Sequence, residues 1–214
     1  MKKINNKRFN LLVKTLIILA TIILIMASLS ILPILIGIIG LIVIPTSFIN
    51  DQIAKVDEKF WIDSFDLTKN AAAQYNLSDI TFSKPPVILV LLLIIVLIIL
   101  YIVIIAQVRK WLKNVSNGHI FTYKNASIIT FIAYCFLILG IFESVINLAS
   151  NFVIYSFLDY NSKLYALVDK NIESVSDFIY DFNFTLIFAG IIIWIISYVF
   201  KYGAFLQDEF DHTV

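Results

Sequence analysis

Apolar positions in this chain fall in long unbroken runs and not in short alternations. Thr15–Asn50 holds 36 residues without a charge and Pro85–Val108 holds 24. Asn125–Phe142 holds 18, and after Glu143 another 15 follow to Leu158; Phe182–Phe200 holds 19. A helix needs about 20 apolar residues to cross the ~30 Å hydrocarbon core of a bilayer. The second and fourth runs fit single crossings, whereas the first and third are too long for one upright crossing. The pattern predicts an all-α integral membrane protein with four transmembrane helices in a single membrane domain, 1–214. The spans are expected near 12–33, 86–108, 126–148 and 182–200. Between them lie segments 34–84 and 149–181, a connector 109–125 and a tail 201–214.

Charge sets the expected orientation. The segment before the first run carries Lys2, Lys3, Lys7, Arg8 and Lys14 and no acid, and Arg109–Lys124 carries four basic residues and no acid. Asp51–Lys84 has six acids against four lysines, and Asp159–Asp181 five against two. Lys and Arg near span ends mark the cytoplasmic side. Four spans put both basic segments inside and both acidic loops outside, with N and C termini in the cytoplasm. A hairpin bent at Pro33 would put Arg109–Lys124 outside, so a single first span is expected. That run exceeds the 7–15 apolar residues of a secretory signal core, which points to an uncleaved anchor.

Spans one and three then overrun on the outer side. Pro33 falls where span one reaches the outer face, a place where a helix can break or kink. Residues 34–48 either extend span one or lie in the interface. Phe60, Trp61, Phe65, Tyr75, Phe82, Tyr160, Tyr165, Phe178 and Tyr180 populate the outer loops, and a small extracytoplasmic cap over the overlong helices is the favoured reading.

Composition sharpens the class. Of 214 residues 60% are apolar and only 14% charged, with a mean hydropathy of +0.93. Soluble domains carry about 25% charged residues. Disorder, direct nucleic-acid binding and ordinary soluble enzymes are excluded as classes. The single cysteine, Cys135, sits in an apolar run and reads as packing. There is no HExxH, GxSxG or glycine-rich phosphate loop, so no catalytic residue, cofactor or metal is assigned and the chain is not read as an enzyme. Glu143 is the one charge inside the apolar runs; Asn147 and Asn151 follow at i+4 and i+8 on the same helix face. An intramembrane carboxylate is a functional-site hypothesis by default. Interhelical glue near the outer interface is favoured over a transport pathway, because one ionisable group without an internal repeat makes a poor pathway.

The connector reads as a turn between two helices. Asn117–Gly118 is a turn signal, Thr122 a candidate N-cap and Phe121 the staple position before it. Arg109, Lys110 and Trp111 suit an interfacial anchor. The tail sets Asp208, Glu209 and Asp211 beside His212; it reads as an acidic segment for the basic connector or a basic partner, not as a metal site.

Gly118-His119-Ile120-Phe121-Thr122 with Asn125 resembles a G-x-x-F-[ST]-x-x-N signature, and Leu206–Val214 resembles a closing L-Q-x-E-x-D-x-T-[IV]. Both belong to bacterial four-helix membrane proteins classed as domain of unknown function 2975. The resemblance implies a multi-pass protein of the bacterial cytoplasmic membrane, often encoded beside a small cytoplasmic helix-turn-helix repressor. It implies a signalling partner that holds or antagonises such a regulator. The candidate docking residues are Gly118, Phe121, Thr122, Asn125, Leu206, Gln207, Asp208, Glu209 and Asp211. Expected partners are the lipid bilayer and that regulator, with homo-oligomerisation left open. The alternative is an immunity-type protein against a membrane-active peptide; a small transporter ranks below both.

Overall fold

The structure is a computed structural model, and it describes residues 7–56, 81–157 and 182–213. Five helices account for nearly all of them: α1 Lys7–Val43, α2 Thr46–Ile53, α3 Lys84–Ser116, α4 Tyr123–Ser156 and α5 Phe184–Thr213. There is no strand among the described residues. Four helices (α1, α3, α4 and α5) are long and apolar enough to cross a membrane, which makes this a multi-pass membrane protein. Hydrocarbon offers no partner to backbone polar groups, so each crossing must satisfy its own, as a helix does. The hydroxyls inside these helices follow the same rule. Thr15, Thr21, Ser28 and Ser30 each donate to a carbonyl three or four residues earlier.

Burial is uneven. Of the most apolar window of α4, 44% is buried, against 6% in α1, 6% in α3 and 11% in α5. Helix α4 is therefore the most buried of the four, and the others leave most of their apolar surface exposed. Ile18, Met26 and Ile36 are all more than 60% exposed. Such a surface would aggregate in water and is the ordinary condition of a lipid-facing helix.

The described residues cluster into two compact units. The first comprises residues up to Leu32, Ile95–Glu143 and Asn183 onwards. Its core is Ile104 of α3 with Ile128, Ile132, Cys135 and Leu139 of α4; Leu186 and Ile193 of α5 pack against it. Two glycines set the approach of α4 and α5. A Cβ on Gly140 would stand 2.6 Å from Ile187 Cγ1, and one on Gly190 would stand 2.9 Å from Leu137 Cδ2. Close backbone approach over small residues is how membrane helices gain packing when lipid is as apolar as leucine.

The second unit comprises Pro33–Ile94 and Ser144–Phe182. Helix α1 passes through Pro33 and stops at Val43, resolving the choice for residues 34–48: most of them extend the helix. Proline inside a membrane helix forfeits one backbone bond, which its surroundings can absorb. The stop comes before Pro45, which is extended (φ −61°, ψ 142°) and precedes α2. A residue before proline is driven out of the helical region. Helix α4 overruns to Ser156, as the apolar pattern predicts. In this unit Phe82 N–H donates to Asn50 Oδ1 (2.8 Å), Thr81 N–H to Phe157 O (2.8 Å), and the Phe82 and Phe157 rings lie 5.5 Å apart. Lys84 Nζ donates to Ile44 O. The remaining outer-loop aromatics, and the cap proposed for them, lie outside the described residues.

Candidate functional site: the connector and the end of α5

The connector is built from three linked devices. The first ends α3. Gly118 has φ +86°; its N–H donates to Val115 O (3.0 Å), and His119 N–H donates to Asn114 O (3.1 Å). These two bonds are a Schellman cap with Gly118 at its left-handed position, which only glycine adopts without a steric cost. The second device starts α4. Asn125 N–H donates to Thr122 Oγ1 (3.2 Å), so Thr122 is the N-cap that the sequence suggests.

The third device is Asn125 itself, whose exposure is 0%. Its Nδ2 donates to His119 O and to Ile120 O (3.0 Å), and its Oδ1 accepts from Asn114 Nδ2 (2.7 Å). One amide thus ties the turn to the last coil of α3. The G-x-x-F-T-x-x-N pattern accordingly describes a closed turn: glycine caps, threonine starts, asparagine clamps.

Phe121, the remaining residue of the pattern, joins this turn to α5. Its ring lies 5.3 Å from that of Phe200, which in turn sits 6.2 Å from Trp111, edge-on. A Cβ on Gly203 would fall 2.6 Å from Phe121 Cδ1. Trp111 is therefore part of this packing, not only an interfacial anchor, and its indole Nε1 is buried with no hydrogen-bond partner among the described residues. Leu112 and Val115 of α3 and Ala204 of α5 are buried as well.

Helix α5 does not stop where its apolar run ends at Phe200 but continues to Thr213. Tyr202, Phe205, Leu206 and Glu209 recur at i, i+3, i+4 and i+7, so they share a face. Tyr202 is 64% and Phe210 67% exposed. The Tyr202 and Phe205 rings stack at 6.5 Å. Asp208 and Glu209 are exposed beside them, and Gln207 is half-buried. The side chains of Asp211 and His212 lie outside the described residues.

The second candidate site, Glu143, is a hydrogen-bonding hub. Its Oε2 accepts from Asn183 Nδ2 (2.7 Å) and its Oε1 from Tyr101 Oη (3.2 Å). Asn183 also caps α5, accepting Leu186 N–H at Oδ1 (3.1 Å), and its own N–H donates to Gly140 O (3.2 Å). The carboxylate thus links α3, α4 and the start of α5. Asn147 is exposed and Asn151 half-buried, both in the other unit. The sequence analysis singles out neither Tyr101 nor Asn183; an asparagine at the start of an apolar run is an N-cap signal that points to the latter. Among the described residues no three His, Cys, Asp or Glu side chains come together as metal ligands.

A family described as protein of unknown function (DUF2975) matches residues 60–214, which include the connector, Glu143 and the end of α5. The chain belongs to this family. None of the curated proteins and none of the solved structures matches it significantly. Gly118, Phe121, Thr122 and Asn125 all lie within the family match: Gly118, Thr122 and Asn125 close the turn, and Phe121 packs it against α5.

Proposed function

We propose that this member of the family is a membrane-anchored interaction partner of a small cytoplasmic helix-turn-helix transcription regulator, which it holds or antagonises. In this reading both termini and the connector lie in the cytoplasm, in the bacterial cytoplasmic membrane. The reading carries no catalysis.

The observation that supports it best is the continuation of α5 for more than three turns past its apolar run, with an exposed aromatic face bordered by Asp208 and Glu209. A lipid-facing helix has no use for acids beside aromatics, whereas a docking surface for a basic partner combines an aromatic anchor with complementary charge. Asn125, being buried, serves by holding the connector; Phe121 and Gly118 are at its surface.

The test is crosslinking and pull-down from native membranes, comparing the full chain with a Glu209→Lys, Phe210→Ser variant. The reading expects a small basic DNA-binding protein, identified by peptide sequencing, on the full chain and a reduced yield on the variant. Its operator binding should weaken when membranes carrying the full chain are added. If neither chain captures such a protein, the reading falls and protection against a membrane-active peptide becomes the one to assay.

A further inference from the structure

A cleft of about 410 Å³ opens between α4 and α5 in the first unit. Tyr123, Ser127, Tyr198 and Lys201 line one end of it, and Phe131, Tyr134 and Trp194 the other. The two helices contribute in opposite order: rising numbers on α4 meet falling numbers on α5. The cleft therefore has a polar end and an apolar end.

Three properties define what fits. First, the lining contains one cation, Lys201, and no acid. The phenols of Tyr123 and Tyr198 add hydrogen-bond donors to the same end of the lining. Second, the middle of the cleft is closed to further hydrogen-bond donation. Thr130 Oγ1 donates to Ala126 O (2.9 Å) and Ser197 Oγ to Trp194 O (2.6 Å), each within its own helix. Those small side chains leave room without demanding a polar partner. Trp194 and Tyr198 stand edge to face, 5.4 Å apart at 83°, as an aromatic wall. Third, Lys201 is the first charge after the apolar run of α5, and Lys124 the last before that of α4. The polar end therefore lies at the boundary between hydrocarbon and headgroups, where lysine and tyrosine favour lipid phosphate.

We infer that this cleft is a binding site for one anionic phospholipid, with its phosphate at Lys201 and Tyr123 and an acyl chain laid past Thr130 towards Trp194. The volume falls in the range of ordinary ligand clefts. The positive end of the α4 dipole at Tyr123 adds to the attraction for phosphate. A soluble anion would meet the charge but leave the apolar end empty, and a zwitterionic lipid would bring a second cation to a site without an acid.

The test is native mass spectrometry of the full chain released from vesicles of equimolar dioleoyl phosphatidylglycerol and dioleoyl phosphatidylcholine. The expected result is one retained phosphatidylglycerol per chain in clear excess over phosphatidylcholine. Lys201→Gln should lower that preference about fivefold, the effect of one basic residue at an anionic surface, and Lys201→Arg should preserve it. Thr130→Leu, which fills the cleft, should reduce retention of both lipids while the thermal melt shows the chain still folded. Equal retention of the two lipids by the native chain, or an unchanged preference in Lys201→Gln, would overturn the assignment.

Discussion

The ring of Phe121 occupies the space that a side chain on Gly203 would need: a Cβ there would lie 2.6 Å from Cδ1 and 3.1 Å from Cγ of the phenylalanine. This contact fixes the connector to α5 and sets the position from which the exposed end of that helix projects.

Gly203→Ala should therefore be costly despite its small size. Overpacking of this kind costs about 1–3 kcal/mol. A lowered melting temperature in detergent is expected, and Phe121→Leu in the same chain should recover part of it, because contacting residues couple. Additive losses in the double variant would show that the two positions do not meet.

Asn125 should be among the least replaceable polar residues. Asn125→Leu leaves two carbonyls and the Asn114 amide without their partner, at about 1–3 kcal/mol for each orphaned buried group. Asn125→Asp keeps the acceptor for Asn114 but sets a buried carboxylate oxygen against the two carbonyls. Thermal unfolding should place both variants well below the native chain, and a Leu variant as stable as the native chain would remove the clamp from the account.

Gly118→Ala forces a side chain into φ +86°. About 1–2 kcal/mol is expected for the left-handed region. Gly118→Asn should cost less, since asparagine tolerates that conformation better. Both follow from denaturant titrations of the full chain.

Glu143 separates glue from charge. Glu143→Gln keeps an acceptor for Asn183 or Tyr101 and should lose only part of the stability, because bonds to a neutral acceptor are worth about half those to a carboxylate. Glu143→Leu removes both acceptors and should lose more. If Gln and native chains melt alike while an ion or proton flux in proteoliposomes disappears, the carboxylate serves transport instead.

Orientation is checked by amine labelling of intact cells. Lys69 and Lys163, which lie outside the described residues, should label from outside, and Lys110 should not. Labelling of Lys110 from outside would reverse the topology and remove the cytoplasmic reading of α5.

Much of this protein was legible in the amino-acid order alone. Runs of uncharged residues specify membrane helices because length and hydropathy are sums along the chain and need no partner. Thr122 as an N-cap and Gly118 in a turn were legible for the same reason: caps and turns are satisfied within a few residues. The extension of α1 through Pro33 was not, since whether a proline stops a helix depends on what its surroundings absorb. Nor was the greater burial of α4: all four runs are apolar, and apolarity alone does not distinguish a face turned to lipid from one turned to protein. Only the tertiary structure brought Phe121 to Gly203 and Glu143 to Tyr101 and Asn183, and set Lys201 and Tyr123 in the lining of one cleft. Those pairs are far apart in sequence, and the sequence carries the groups that can bond but not the packing that decides which of them meet.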